Sequence, residues 1–190
     1  HRVVGPVYAR LPGELPEFLA DLAAGPQPLV YFAMGSSGNR DLVLHVLAGL
    51  GRADCQVLAP VRSHLRQEDL GTLPLNVHVT DWIPAHQLGD AVDLAITHGG
   101  EGTVQTSCVQ GWPFIGIPLQ FEQRFNVQRC AAFGSARLVS QREARRTDWA
   151  ELVRQALADD GMRSRARRMA RLMEGVDGPG RAAEAICELL

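Results

Sequence analysis

Lysine is absent from this 190-residue chain, and all nineteen of its basic residues are arginine. That excludes a phosphate-loop lysine, a Schiff-base lysine and any lysine general base within the chain. An excess of either charge is lacking too, since the nineteen basic residues stand against twenty-one acidic ones, for a net charge of −2. A whole-chain attraction to nucleic acid has no basis at that balance. No apolar run approaches the ~20 residues that a membrane-spanning helix needs, and the N-terminus has no charged-then-apolar targeting pattern. The four cysteines, Cys55, Cys108, Cys130 and Cys187, form no C-x-x-C pair and have no paired histidines nearby. Zinc and thioredoxin-like chemistry therefore lack support, and buried free thiols in a cytoplasmic protein are the expectation.

What is present is 46% hydrophobic and 21% charged residues, an ordinary composition for one domain with a sizeable core. Six short apolar runs recur along the chain at residues 29–33, 55–59, 76–80, 93–97, 114–118 and 136–140. Each has strand length, is rich in β-branched or aromatic residues, and ends near Gly, Pro, Ser or Asp. Helix-like stretches lie between most of them, such as RDLVLHVLAGL at 40–50 and EQRFNVQRCAAF at 122–133. Alternation of this kind predicts an α/β fold: a Rossmann-like, doubly wound parallel sheet of about six strands with helices on both faces. Ligands of such sheets bind at the carboxyl ends of the strands. Residues 1–13 read as an incoming linker and 14–190 as the domain proper, with a short helix at 15–25 leading to the first strand. After residue 140 the pattern is helical, with Asp148 as an N-cap signal and Gly175 and Gly178 as expected stops. The arginines between 163 and 171 alternate with Met162, Ala166, Met169, Ala170 and Met173 at helical spacing, which makes them the solvated face of an amphipathic helix.

Two motif tests come out negative. The loop MGSSGN at 34–39 misses a nucleophile elbow, because Asn39 stands where the last glycine belongs if Ser37 were the nucleophile. The loop HGGEGTVQ at 98–105 has Gln105 where a dinucleotide fingerprint needs its third glycine. That second loop still joins the fourth strand to a helix. Its glycines let backbone approach a ligand, and the helix N-terminus offers free N–H groups to an anion such as a diphosphate. A plain glycine-rich turn with a satisfied histidine is the alternative the loop alone leaves open. The loop after the third strand carries Trp82, whose flat face suits a nucleobase, although an isolated Trp more often anchors a loop. Glu122 and Gln123 open the helix after the fifth strand, and a carboxylate beside an amide suits vicinal sugar hydroxyls.

Taken together these features resemble the donor-binding signature of family 1, GT-B type, nucleotide-sugar-dependent glycosyltransferases, and of the bacterial natural-product and macrolide branch in particular. The family pattern is W-x-P, then T-H-G-G-x-G-T, then x-G-x-P, then P-x-x-x-[DE]-Q-x-x-N. This chain supplies WIP, THGGEGT, QGWP and PLQFEQRFN in that order. The likeness extends to VYFAMGSSG at 30–38 and to residues 3–19. It implies the C-terminal half of a GT-B fold, with His1 in place of an initiator Met suiting a fragment that starts at the interdomain linker.

Carried over residue by residue, the resemblance makes Trp82 the base-stacking platform and the backbone of Ile83 the reader of the base edge. His98, Gly100, Gly102 and Thr103 would hold the diphosphate, with Gly35, Ser36 and Ser37 bordering it, and Glu122 and Gln123 would bind the donor sugar. Ala85 and Thr106 depart from the plant branch, which leaves UDP and dTDP both open. The implied reaction is inverting, metal-independent transfer of a sugar from a UDP- or dTDP-sugar to a small natural-product acceptor. No cofactor or metal is expected. The catalytic base and the acceptor pocket are expected in an N-terminal domain outside this chain, which would leave the chain inactive alone. A nucleotide-sugar epimerase-like domain and a non-catalytic nucleotide-binding module are the alternatives on the same scaffold.

Overall fold

The computed structural model describes residues 2–7, 10 and 12–189. Its strands are β1 Leu29–Ala33, β2 Gln56–Ala59, β3 Val77–Val79, β4 Leu94–Thr97, β5 Phe114–Gly116 and β6 Ala136–Leu138. The α-helices among the described residues are α1 Leu19–Ala24, α2 Arg40–Leu50, α3 Gln67–Leu70, α4 Glu101–Gln110, α5 Phe121–Phe133, α6 Gln141–Ala144, α7 Trp149–Leu157, α8 Asp160–Met173 and α9 Gly178–Cys187. Every strand pair is parallel, in the order β3-β2-β1-β4-β5-β6. The order reverses between β1 and β4, where Val30 pairs with Leu94 and Ala33 with Thr97. Connections from neighbouring strands there leave in opposite directions, so a crevice opens at the carboxyl edge between the loops that follow β1 and β4.

Both faces of the sheet are covered, which is why the strand runs are apolar throughout rather than alternating. Val30 and Phe32 of β1 point into one core with Val57, Leu94, Ile96 and Ile115, under α2 and α7. Leu29, Tyr31 and Ala33 point into the other with Leu58, Ala95 and Phe114, under α1, α4 and α5. The first core is tight enough that a Cβ on Gly49 of α2 would lie 2.8 Å from Trp149 Cβ of α7. Trp149 is fully buried, and its indole N–H donates to the Ala144 carbonyl at 3.0 Å. On α8, Met162 and Ala166 are buried while Arg165, Arg167, Arg168 and Arg171 face solvent. No helix among the described residues is long and apolar enough to cross a membrane.

Several boundaries differ from the sequence expectation. Strands β3, β5 and β6 are each three residues long, shorter than their apolar runs. Helix α1 begins at Leu19 rather than residue 15, after a turn in which the Leu19 N–H reaches the Pro16 carbonyl at 3.0 Å. Gly178 is no stop: it is the first residue of α9, capped by Asp177, whose side chain accepts from Gly180 N. Its lack of a side chain serves packing, since a Cβ there would lie 2.1 Å from the Pro6 carbonyl oxygen. Of the expected linker, residues 1, 8, 9 and 11 lie outside the described ones. The described remainder runs back along the domain, with Gly5 against Val176 and Gly13 against Trp82.

Candidate functional site

The crevice is built first by the end of β4. Thr97 is fully buried and its Oγ1 accepts the Gly99 N–H at 3.1 Å. Gly99 has φ +83°, and a Cβ there would strike Val127 of α5 at 2.5 Å, so only glycine fits. The chain turns at this point and seats His98 inward, 7% exposed. Its ring lies between two further glycines. A Cβ on Gly35, in the β1 loop, would lie 2.6 Å from Cε1, and one on Gly100 would lie 2.3 Å from Nε2. The imidazole fits because both flanking positions lack side chains.

Burial lowers the proton affinity of His98, and nearby His64 acts in the same direction; the Ala33 carbonyl and the Glu122 carboxylate oppose them in part. The net shift is downward, so the ring is neutral at neutral pH and has one N–H to donate. Although the Ala33 carbonyl lies near enough to favour the protonated ring, no well-aligned partner reaches Nδ1, which is buried and unpaired. A buried polar atom without a partner carries a desolvation cost that a ligand can relieve.

Helix α4 starts at Glu101, two glycines after His98. Gly100 is its N-cap, in extended conformation and without a side-chain cap, and the first helical bond runs from Val104 N to the Gly100 carbonyl at 3.0 Å. The amides of Glu101, Gly102 and Thr103 are thus the unfilled donors of the first turn, at the positive end of the helix dipole. Nothing lies within 4 Å of where a Gly102 Cβ would stand, so the space over this turn is open. The Thr103 hydroxyl is committed within the turn itself. It donates to the Gly100 carbonyl at 2.9 Å, which leaves the backbone N–H as the Thr103 donor to a ligand.

The β1 loop forms the facing wall. Gly35 has φ +54°, and its carbonyl accepts from His64 Nε2 at 2.7 Å. Ser36 is exposed, and Ser37 is half-buried with its Oγ accepting from Gln123 Nε2 at 3.2 Å. Asn39 caps α2 by accepting from Leu42 N at 2.9 Å. Behind that loop, Arg40 makes a two-pronged contact with buried Asp69, at 2.8 and 2.5 Å, which fixes the start of α2 against α3.

Glu122 and Gln123 are adjacent in sequence and play unlike parts. Gln123 is 3% exposed. Its Oε1 accepts from Leu119 N at 2.9 Å and Gln120 N at 3.2 Å, and its Nε2 holds Ser37. An amide has two acceptor and two donor capacities, so one N–H remains for a ligand. Gln123 is therefore a strut between α5 and the β1 loop, with little left to read a sugar. Glu122 is exposed, and its Oε1 accepts from Asn126 Nδ2 at 2.5 Å. Asn126 also donates to the Gly99 carbonyl at 3.1 Å, which ties the Glu122 carboxylate to the glycine loop.

Trp82 stands out as 58% exposed. One part of its ring packs near Gly13, while neighbouring Ile83 is buried and plugs the loop into the core. The Ile83 carbonyl accepts from Ala85 N at 2.9 Å. Three bonds hold this loop from outside: Gln87 Nε2 to Gly13, Gln110 Nε2 to His86 and Trp112 Nε1 to Gly89, each ending on a carbonyl. The QGWP segment thus anchors the tryptophan loop. His64 and Asn126 are the site residues that reading the sequence did not single out. Asn126 closes the PLQFEQRFN signature, which was its available signal, whereas nothing local marks His64. Among the described residues, no three His, Cys, Asp or Glu side chains converge as a metal site.

The sequence and the fold both have counterparts among known proteins. Residues 44–189 match the family model described as erythromycin biosynthesis protein CIII-like, C-terminal domain. The chain belongs to that family. The erythromycin CIII-like C-terminal domains are the C-terminal halves of GT-B glycosyltransferases. A PGL/p-HBAD biosynthesis glycosyltransferase of Mycobacterium tuberculosis is 28% identical over 172 residues, covering 90% of this chain and 39% of that protein. The oleandomycin glycosyltransferase of Streptomyces antibioticus is 29% identical over 170 residues, covering 86% of this chain and 39% of that protein. The solved spinosyn rhamnosyltransferase SpnG, complexed with thymidine diphosphate, superposes with a TM-score of 0.80 at 20% identity, over 97% of this chain and 51% of that one. The chain thus spans about two-fifths of the length of these curated relatives.

Proposed function

We propose that this erythromycin CIII-like domain binds the nucleotide-sugar donor of an inverting glycosyltransferase, a UDP- or dTDP-sugar whose glycosyl group passes to a small natural-product acceptor. The observation that carries the reading is His98, clamped between Gly35 and Gly100 beside the uncapped first turn of α4 at the sheet's switch point. A diphosphate suits that combination, taking the Glu101, Gly102 and Thr103 amides and the imidazole N–H. The exposed Trp82 offers a stacking face to the base, beside the backbone of Ile83. Glu122, oriented by Asn126, accepts from sugar hydroxyls. Ser36 borders the phosphates, and Ser37 joins that wall to Gln123. The thymidine diphosphate complex of SpnG is in keeping with this class of ligand.

In the transfer, the acceptor oxygen attacks the anomeric carbon from the face opposite the diphosphate while the bond to the phosphate oxygen breaks. Configuration inverts, and the acceptor proton passes to a base. Negative charge gathers on the leaving diphosphate, where fixed amides and a histidine N–H stabilise it in place of a metal. The base and the acceptor wall belong to the longer protein of which this domain is the donor half, and the isolated domain performs no transfer. The reading places it in a cytoplasmic biosynthetic enzyme. Calorimetry against UDP, dTDP, ADP and NAD tests it: UDP or dTDP binds most tightly, and a preference for ADP or NAD overturns the assignment.

A further inference from the structure

Behind the proposed donor site, α4 and α5 are joined by a pair of thiols that donor binding does not use. Cys108 of α4 and Cys130 of α5 are both buried, and their sulfurs lie 3.8 Å apart. Each lies roughly two helical turns past its own helix's contribution to the site, Gly100 for one and Glu122 for the other. A cavity of about 530 Å³ opens on the pair, lined by both cysteines with Gln105, Asn126, Met169 and Met173. Gln105 Oε1 is buried without a hydrogen-bond partner, a ready acceptor for a small hydroxylic molecule entering there.

We infer that Cys108 and Cys130 form a redox-active dithiol, which a peroxide entering this cavity converts to a reversible disulfide that displaces α4 against α5 and weakens diphosphate binding. The last clause rests on the donor-site reading; the cross-link and the helix displacement do not. Either thiol can donate to the other across the 3.8 Å contact, and the sulfur that accepts has its proton affinity lowered. The accepting sulfur is the nucleophile, Cys130 in the steps that follow; the cross-link formed is the same if Cys108 attacks first. Its sulfur attacks one peroxide oxygen, the O–O bond breaks, and the departing hydroxide takes the thiol proton to become water. Cys108 sulfur then attacks the sulfenic sulfur, the S–S bond forms, and the hydroxyl leaves as a second water with the Cys108 proton. Two thiols lose two electrons and the peroxide gains them. A bonded pair stands at about 2.0 Å, so the sulfurs close by roughly 1.8 Å. That movement passes along two helices whose first turns face the ligand.

The test exposes the reduced chain to hydrogen peroxide. The expected result is loss of two of the four thiols, a two-hydrogen loss of mass, and a peptide joining Cys108 to Cys130 that dithiothreitol reverses. Cys108→Ser and Cys130→Ser each abolish the cross-link, whereas Cys55→Ser and Cys187→Ser retain it. Amide exchange should change in α4 and α5 on oxidation, and affinity for dTDP or UDP should fall about tenfold or more. Four thiols surviving, a cross-link through Cys55 or Cys187, unchanged exchange in both helices, or equal affinity of oxidised and reduced chains overturns the inference. If the reduced chain binds neither nucleotide, the donor-site reading fails, while the cross-link and the exchange still decide the dithiol.

Discussion

At the residue scale, Trp82 and His98 are opposites, and their exposure separates them. Trp82 is 58% exposed beside a loop that Ile83 already anchors, so its ring contributes little to the fold. Trp82→Ala should weaken nucleoside-diphosphate binding by ~1–3 kcal/mol and change unfolding free energy by no more than about 0.5 kcal/mol, measured by calorimetry and denaturant titration on the same preparation. His98 is buried between glycines, and the proposed function directs its ring at phosphate. His98→Ala should cost ~1.5–3 kcal/mol with the diphosphate and far less with the free nucleoside. The pH dependence follows by linkage. In the free chain burial holds the ring below its ordinary 6.5. A bound diphosphate raises that value, so the complex holds more protons than the free chain between the two. Wild-type affinity should therefore gain on that of His98→Ala as pH falls through the bound ring's value towards the free ring's; parallel profiles would remove His98 from the phosphate.

At the element scale, packing reverses a local propensity. In an isolated helix Gly→Ala stabilises by ~1 kcal/mol, yet Gly49 of α2 has Trp149 of α7 at 2.8 Å from where its Cβ would stand. Gly49→Ala should destabilise by about 1–3 kcal/mol, read as a fall in the denaturant midpoint, with nucleotide affinity per folded molecule unchanged. This contact also marks how far the sequence could be read. The strands were legible because two-sided burial makes them short, wholly apolar runs, and α2 was legible to the residue because Asn39 caps it and Gly51 follows it. Helices α3 and α6 were not legible, being four residues long with no apolar period to detect. Gly178 looked like a stop because a glycine near a helix end usually is one; its reason, the Pro6 carbonyl, lies far away in sequence. The candidate site divides the same way. Its glycines and His98 were legible as one contiguous loop. The commitment of Gln123 to Ser37 and the bond from His64 to Gly35 depend on tertiary neighbours that no spacing encodes.

At the scale of the whole molecule, the proposed function makes this domain one half of a transfer site. In that proposal the nucleobase, diphosphate and sugar contacts all come from this chain, so binding should survive in it alone. The proposed function assigns the acceptor pocket and the base to the remainder of the longer protein. The isolated chain should thus bind nucleoside diphosphate at micromolar to millimolar Kd, about 4–8 kcal/mol, and release no glycoside from a donor and acceptor mixture followed by mass spectrometry. Genuine transfer would contradict the half-site account. The most direct test of where the donor sits is an amide NMR titration of the isotope-labelled chain with dTDP or UDP. The account predicts saturable shifts centred on Glu101, Gly102, Thr103 and the Trp82 indole, lost in Gly100→Ala, whose Cβ would displace the His98 ring. Saturable shifts confined to α8 and α9, or none at millimolar nucleotide, would contradict it.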